Sequence, residues 1–296
     1  MVVLAAVVAA SFALVHTARR DWMPVGDEAL MYLRAMDVGS AHTPLVGPYS
    51  RFGWYHPGPS MYFLFAAAIR ALAGSPSGLL VATLVCSLSS AACIVGLAAR
   101  RAGMTAALVL ASFTAILCLG LGDWLIDPWN PYFDVMPFAA FLVAAWFAAD
   151  GDVVAARIAC VAGSVAAQAH LGAVPPVALI GGAAIVLALL RRPHGLDLRN
   201  SAWNAALLGL LWALPAVEEV SSHRGNLTNI VRFFATTEKE PIVGWLSGVR
   251  MSAYLLLPWG PWTGRAVWGL IGNVPPAPAW QVAMMFALLA GGAALA

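Results

Sequence analysis

The stretch GLLVATLVCSLSSAACIVGLA, residues 78–98, is followed at once by Arg100-Arg101 and then by a second apolar run at 104–122. An α-helix rises about 1.5 Å per residue, so about 20 residues cross a hydrocarbon core of about 30 Å, and each run has that length. Two arginines between two such runs read as a turn between spans. The pattern extends outward in both directions. Further runs at 1–17, 132–149, 153–171, 174–190, 201–217, 243–258 and 279–296 bring the expected spans to about nine. The 296 residues are 61% hydrophobic and only 10% charged, with mean hydropathy +0.81. The expected fold class is all-α, a polytopic transmembrane helix bundle over residues 1–296.

The first run has no basic residues ahead of it and no small-residue cleavage site before Arg19-Arg20, so an uncleaved span is expected rather than a signal peptide. The chain ends inside the apolar run 279–296, and truncation at the C-terminus is expected. Cys86, Cys93, Cys118 and Cys160 fall within predicted spans without a CxxC pair and read as small apolar residues. A net charge of +2, with no basic stripe interleaved with aromatics, gives no nucleic-acid signal. P-loop, GxGxxG and GxSxG patterns are absent, so nucleotide hydrolysis and serine nucleophiles have no visible machinery.

With the N-terminus inside, Arg100-Arg101, the 150–157 turn and the 191–199 turn fall on the cytoplasmic side, as the positive-inside rule expects, while Arg19 and Arg20 run against it. Most acids then lie outside: Asp21, Asp27, Glu28, Asp37, Asp123, Asp127, Asp134, Glu218, Glu219, Glu238 and Glu240. Only Asp150, Asp152 and Asp197 are inside. Any chemistry is expected on the outer face.

Polar groups concentrate after the first span, in Asp21-Trp-Met-Pro-Val-Gly26-Asp27-Glu28 and Tyr49-Ser-Arg51-Phe-Gly-Trp54-Tyr55-His56-Pro-Gly-Pro59. Lipid does not tolerate them, so they lie in a water-facing loop or line a site at the membrane boundary. Residues 28–38, with Leu30, Leu33 and Met36 alternating with Arg34 and Asp37, predict a short interfacial helix. A second follows at 60–73, which also reads as a short or tilted span. Asp27 and Glu28 have a bland reading, as a helix cap and a dipole partner, and a functional one, as a catalytic base and its neighbour. Trp54 and Tyr55 fit an aromatic belt, whereas Arg51 and His56 have the chemistry to bind a lipid-linked phosphate.

Asp127-Pro-Trp-Asn130-Pro-Tyr132 is a proline-braced turn whose aromatics also suit stacking on a sugar. His170, after Gln168, needs a partner, either structural or ligand. Glu218-Glu219 and His223-Arg224 precede a predicted amphipathic helix at 226–234, and Glu219 with Arg224 reads either as solvated loop or as part of a polar cleft. A divalent metal is compatible with Asp27, Glu28, His56, His170 and His223, although no metal-ligand spacing such as HExxH is present.

Together these motifs resemble the GT-C superfamily of membrane-embedded glycosyltransferases, particularly bacterial relatives of the dolichyl-phosphate-mannose protein mannosyltransferases and of the lipid A aminoarabinose transferases. The likeness covers residues 1–240 and rests on Gly26-Asp27-Glu28 and Trp54-Tyr55-His56-Pro57-Gly58-Pro59. Trp129-Asn130-Pro131-Tyr132, Gln168-Ala-His170-Leu-Gly172 and Arg224-Gly225-Asn226 support it more softly. It implies Asp27 as catalytic carboxylate, Glu28 as its neighbour toward acceptor or metal, and Arg51 with His56 near the donor phosphate. Arg34, Tyr55, Asn130, His170 and Arg224 would line the cleft. Those relatives place a lysine after the first interfacial helix where this chain has arginine and histidine, and they carry more spans and often a further C-terminal domain.

The implied reaction moves a sugar from a polyprenyl-phosphate donor to an acceptor hydroxyl on a glycan, lipid or protein, with inversion, outside a bacterial inner membrane. Richness in Ala and Arg with a single lysine, Lys239, fits a high-GC bacterial genome. The rivals are a transporter or lipid flippase, whose charges belong near mid-membrane, and a non-catalytic assembly partner.

Overall fold

The computed structural model describes residues 2–191, 198–236, 244–256 and 278–295. Arg192, Asp197, Glu238, Lys239 and Glu240 of the sequence reading lie outside them, as do 257 and 258 at the end of one predicted span. Among the described residues the regular structure is all helical apart from one minimal hairpin.

Helix α1 (Val2–Ala18) stops before Arg19-Arg20, and α2 (Asp27–Met36) starts after Gly26, whose φ of 55° is the left-handed region that suits glycine. Strands β1 (Tyr49–Ser50) and β2 (Trp54–Tyr55) pair antiparallel, Tyr49 opposite Tyr55, around a turn closed by Gly53. Helix α3 (Ser60–Ala71) begins directly after Pro57-Gly58-Pro59. The predicted spans 78–98 and 104–122 form one helical run, α4 (Ser77–Leu121), broken at Gly103 by φ 82° and ψ −178°. At full helical rise 45 residues would extend about 70 Å, twice a bilayer core, so the break beside Arg100-Arg101 divides two span lengths.

After a tight turn at Gly122–Leu125 come α5 (Asn130–Phe133), α6 (Val135–Ala149), α7 (Val153–Ala169), α8 (Val174–Leu190), α9 (Leu198–Leu211), α10 (Ala213–Ser221) and α11 (Asn226–Thr236). The predicted run 201–217 is interrupted at Trp212 because Pro215 has no N–H for the Leu211 carbonyl. Helices α12 (Trp245–Leu256) and α13 (Ala279–Leu295) belong to a second compact unit, in which Val249 and Ala253 pack with Val282 and Met285.

Among the described residues Ser77–Leu125, Asn130–Ala149 and Leu171–Leu190 are long and apolar enough to cross a membrane. By length and composition they mark a membrane protein. Helix α7, with 17 residues, is apolar but shorter, so among the described residues fewer elements meet that criterion than the nine predicted. Leu179, Leu190 and Leu210 are 74%, 77% and 74% exposed, which is tolerable where the surroundings are hydrocarbon.

The core of the first unit lies where the interfacial helices meet the bundle. Met31 and Ala35 of α2 pack with Met61, Phe65 and Ile69 of α3, Leu79 of α4 and Phe133 of α5. The predicted stripe Leu30, Leu33 and Met36 points outward, as expected of a helix whose other face lies on lipid. Helices α3 and α4 touch backbone to backbone at Gly78, where a Cβ would meet the Ile69 Cα and N at 2.6 Å. Gly78→Ala is therefore expected to cost about 1–3 kcal/mol, seen as a lower unfolding temperature in detergent. Gly96→Ala, with nothing within 4 Å of the new methyl, should leave that temperature unchanged or higher.

Candidate functional site

Gly26 occupies the N-cap position of α2 and has no side chain to cap it. Asp27 is thus the first helical residue, and its Oδ2 accepts a 3.1 Å hydrogen bond from the Trp129 indole N–H, 102 residues away. This corrects the capping reading. Glu28 accepts a long 3.4 Å bond from the Val25 N–H. Asp127 Oδ1 accepts the Trp129 N–H at 2.9 Å, which bends the chain before Asn130-Pro131 and aims the indole at Asp27.

Asp27, Glu28 and Asp127 share one electrostatic neighbourhood. The Glu28 carboxyl is raised, mainly by burial, against the Val25 N–H that lowers it, with the charges of Asp127 and Asp27 adding to the rise. Asp127 is raised by burial, opposed by the Trp129 N–H. Beside them Trp124 stacks on Tyr132 with centroids 4.5 Å apart, and Trp129 meets Tyr132 edge-on at 5.3 Å. Asn130 is buried, and its Nδ2 donates to the Ala169 carbonyl at 3.1 Å, so its role in the described structure is to hold the turn.

His56 and His170 come together by a different route. Gly58 N–H donates to the Gln168 carbonyl at 3.2 Å, and a Cβ on Gly58 would meet the Gln168 side chain at 2.4 Å. The Pro-Gly-Pro turn is thereby seated on the end of α7, and His56 lies flat over His170 with centroids 5.0 Å apart. His56 Nδ1 accepts the Leu171 N–H at 2.9 Å, so Nε2 carries the ring proton. Burial, with His170 as a second cause, pushes the His56 imidazole down to about 3. At neutral pH His56 is uncharged, so toward a phosphate it offers an N–H and no cation. His170 Nδ1 stands 3.9 Å from Asp134 Oδ2.

The remaining candidates are spread along the same loops. Arg51 sits exposed in the hairpin turn with its guanidinium 5.0 Å from the Phe52 centroid. Arg34 pairs with Asp37 at 2.8 Å, and its charge reaches Tyr62, whose phenol is raised by burial against that influence. The Tyr55 N–H donates to Asn226 Oδ1 at 2.8 Å and its carbonyl accepts from Asn226 Nδ2 at 2.9 Å, clipping the hairpin to α11. Arg224 is exposed.

Glu218 and Glu219 have a structural duty at the start of α11. Glu218 accepts the Asn226 N–H at 2.9 Å and Glu219 the Leu227 N–H at 2.7 Å, so both satisfy the free amides at the start of α11. Among the described residues no three His, Cys, Asp or Glu side chains converge as a metal site.

Asp127 and Asp134 are the participants that sequence reasoning left without functional roles, and Trp129 was read for sugar stacking but not as the partner of Asp27. The signal for Asp127 and Trp129 was the acid-Pro-Trp-Asn-Pro turn. The chain matches no family model, no curated protein sequence and no solved structure.

The His56 ring predicts a pH dependence of stability. Its folded value lies far below the ordinary 6.5, so unfolding takes up a proton between those values. Stability is full above pH 6.5 and falls as pH drops toward 3, by on the order of 1–2 kcal/mol between pH 6.5 and 5. His56→Asn, which keeps an acceptor for the Leu171 N–H, should flatten that slope in thermal unfolding followed from pH 7.5 to 5. An unchanged slope would show that the ring is not buried as described.

Proposed function

We propose that the chain is a membrane glycosyltransferase that moves a sugar from a polyprenyl-phosphate donor to an acceptor hydroxyl at the extracytoplasmic surface of a bacterial inner membrane. The observation that carries this reading is the setting of Asp27. It is exposed, has no capping duty, and is oriented by the Trp129 indole at the edge of an aromatic shelf. Carboxylates beside aromatic faces are the chemistry that binds sugars, whose hydroxyls donate to the former and whose C–H faces stack on the latter.

In the proposed step the acceptor hydroxyl gives its proton to Asp27 as its oxygen bonds the anomeric carbon. The bond from that carbon to the phosphate oxygen breaks, and the electron pair leaves with the polyprenyl phosphate. One displacement inverts the anomeric configuration. Glu28, whose carboxyl is raised mainly by burial, would be the neighbouring group that hydrogen-bonds a sugar or acceptor hydroxyl. Arg51 and Arg224 are exposed cations that would meet the phosphate, Arg34 being paired with Asp37, and His56 contributes only its Nε2–H.

The test uses the purified chain in proteoliposomes with a panel of radiolabelled polyprenyl-phosphate sugars, scoring label moved to water or to added acceptors. Wild type should turn over at least one donor, Asp27→Asn should lose about 100-fold or more, and Trp129→Phe about 10-fold. An Asp27→Asn protein that folds and retains full activity removes the base assignment. A panel with neither turnover nor binding overturns the reading.

A further inference from the structure

Along α7, away from Asp27, Glu28 and Asp127, helices α6, α7, α8 and α9 line a half-open cleft of about 730 Å³. Many of its lining residues are small, among them Ala145, Ala159, Gly163, Gly181 and Ala205. Its volume falls in the range of roughly 300–1,000 Å³ typical of ligand sites.

The two ends of the cavity differ in chemistry. At one end Trp212 and Ser164 face it but are satisfied by each other, the indole N–H donating to the hydroxyl at 3.0 Å. The other end is lined by Asp152, Asn200 and Asn204. Arg100 and Arg101 both pair with Asp152, and Arg157 donates to Asn200 Oδ1 at 2.8 Å. Arg191, two residues past the lining residue Leu189, pairs with Asp150. Among the described residues four arginines and two aspartates thus gather around that end of the cleft, an excess of positive charge.

An occupant must therefore have an apolar body and one anionic end. We infer that this cavity binds an anionic glycerophospholipid of the surrounding bilayer, its acyl chain between α7, α8 and α9. Its phosphate lies against Arg157 and Arg191. Phosphatidylglycerol is a lipid of this anionic class, and basic pockets between membrane helices suit such headgroups. The inference is independent of the role of Asp27.

The test is native mass spectrometry of the full chain reconstituted with equal phosphatidylglycerol and phosphatidylcholine and then stripped stepwise by detergent. Phosphatidylglycerol should be retained over phosphatidylcholine by about tenfold. R157Q/R191Q, which alters only exposed side chains, should bring that ratio close to one. Gly181→Leu, which fills the cavity, should reduce retention of both lipids, and if that variant does not fold, R157Q/R191Q decides alone. Equal retention of the two lipids by wild type, no retained lipid, or a ratio unmoved by R157Q/R191Q would each overturn the proposal.

Discussion

A helix leaves its last carbonyls without partners, and at the rim of a membrane water is not freely available to take their place. The C-terminal end of α7 shows how the chain meets that constraint. The Gln168 carbonyl takes the Gly58 N–H, the Ala169 carbonyl takes the Asn130 amide, and the Leu171 N–H goes to the His56 ring. Gln168 itself is 1% exposed and uses its side chain twice, accepting the Ser60 N–H and donating to the Leu211 carbonyl. Pro215 is what frees that Leu211 carbonyl, since a proline cannot return the usual bond four residues back. One helix end thus joins the Pro-Gly-Pro turn, α3, α5 and α9. Each candidate residue drawn from those segments takes its position from it.

Side-chain amides do this work instead of ion pairs. Asn130, Gln168 and Asn226 each satisfy main-chain groups of a segment distant in sequence, and all three are buried. An amide offers both a donor and an acceptor without the desolvation cost of a charge. The charged residues of the rim are thereby left for other purposes. Among the described residues the Asp27 side chain has an indole as its partner, and the close-paired arginines lie at the far end of α7, Arg100 and Arg101 just before the Gly103 break in α4 and Arg191 at the end of α8.

The helices were legible because hydropathy is a local property. The length of 78–98, the stop at Arg19-Arg20, the short helix after Pro59 and the amphipathic 226–234 segment all follow from neighbouring residues. The break at Gly103 was readable as a turn from the arginines beside it. What was not legible is polar pairing across the chain. Nothing near Asp27 announces a tryptophan at 129, and Glu218 and Glu219 reach forward eight and nine residues to cap α11, further than a capping-box pattern extends. The interruption of 201–217 was visible in Pro215, but its consequence, a carbonyl freed for Gln168, depends on a partner 43 residues away.

The clustering of carboxylates constrains where a phosphate donor would lie on the proposed reading. Asp27, Glu28 and Asp127 together repel an anion, so a polyprenyl phosphate cannot sit among them unless its charge is met elsewhere. Arg51 in the hairpin turn and Arg224 before α11 belong to segments held together by the Tyr55 and Asn226 clip. A donor whose phosphate is drawn to those arginines would present its sugar toward the aromatic shelf and the carboxylates. On this reading the sugar, not the phosphate, is the part of the donor that approaches Asp27, and the hairpin clip sets the distance between them.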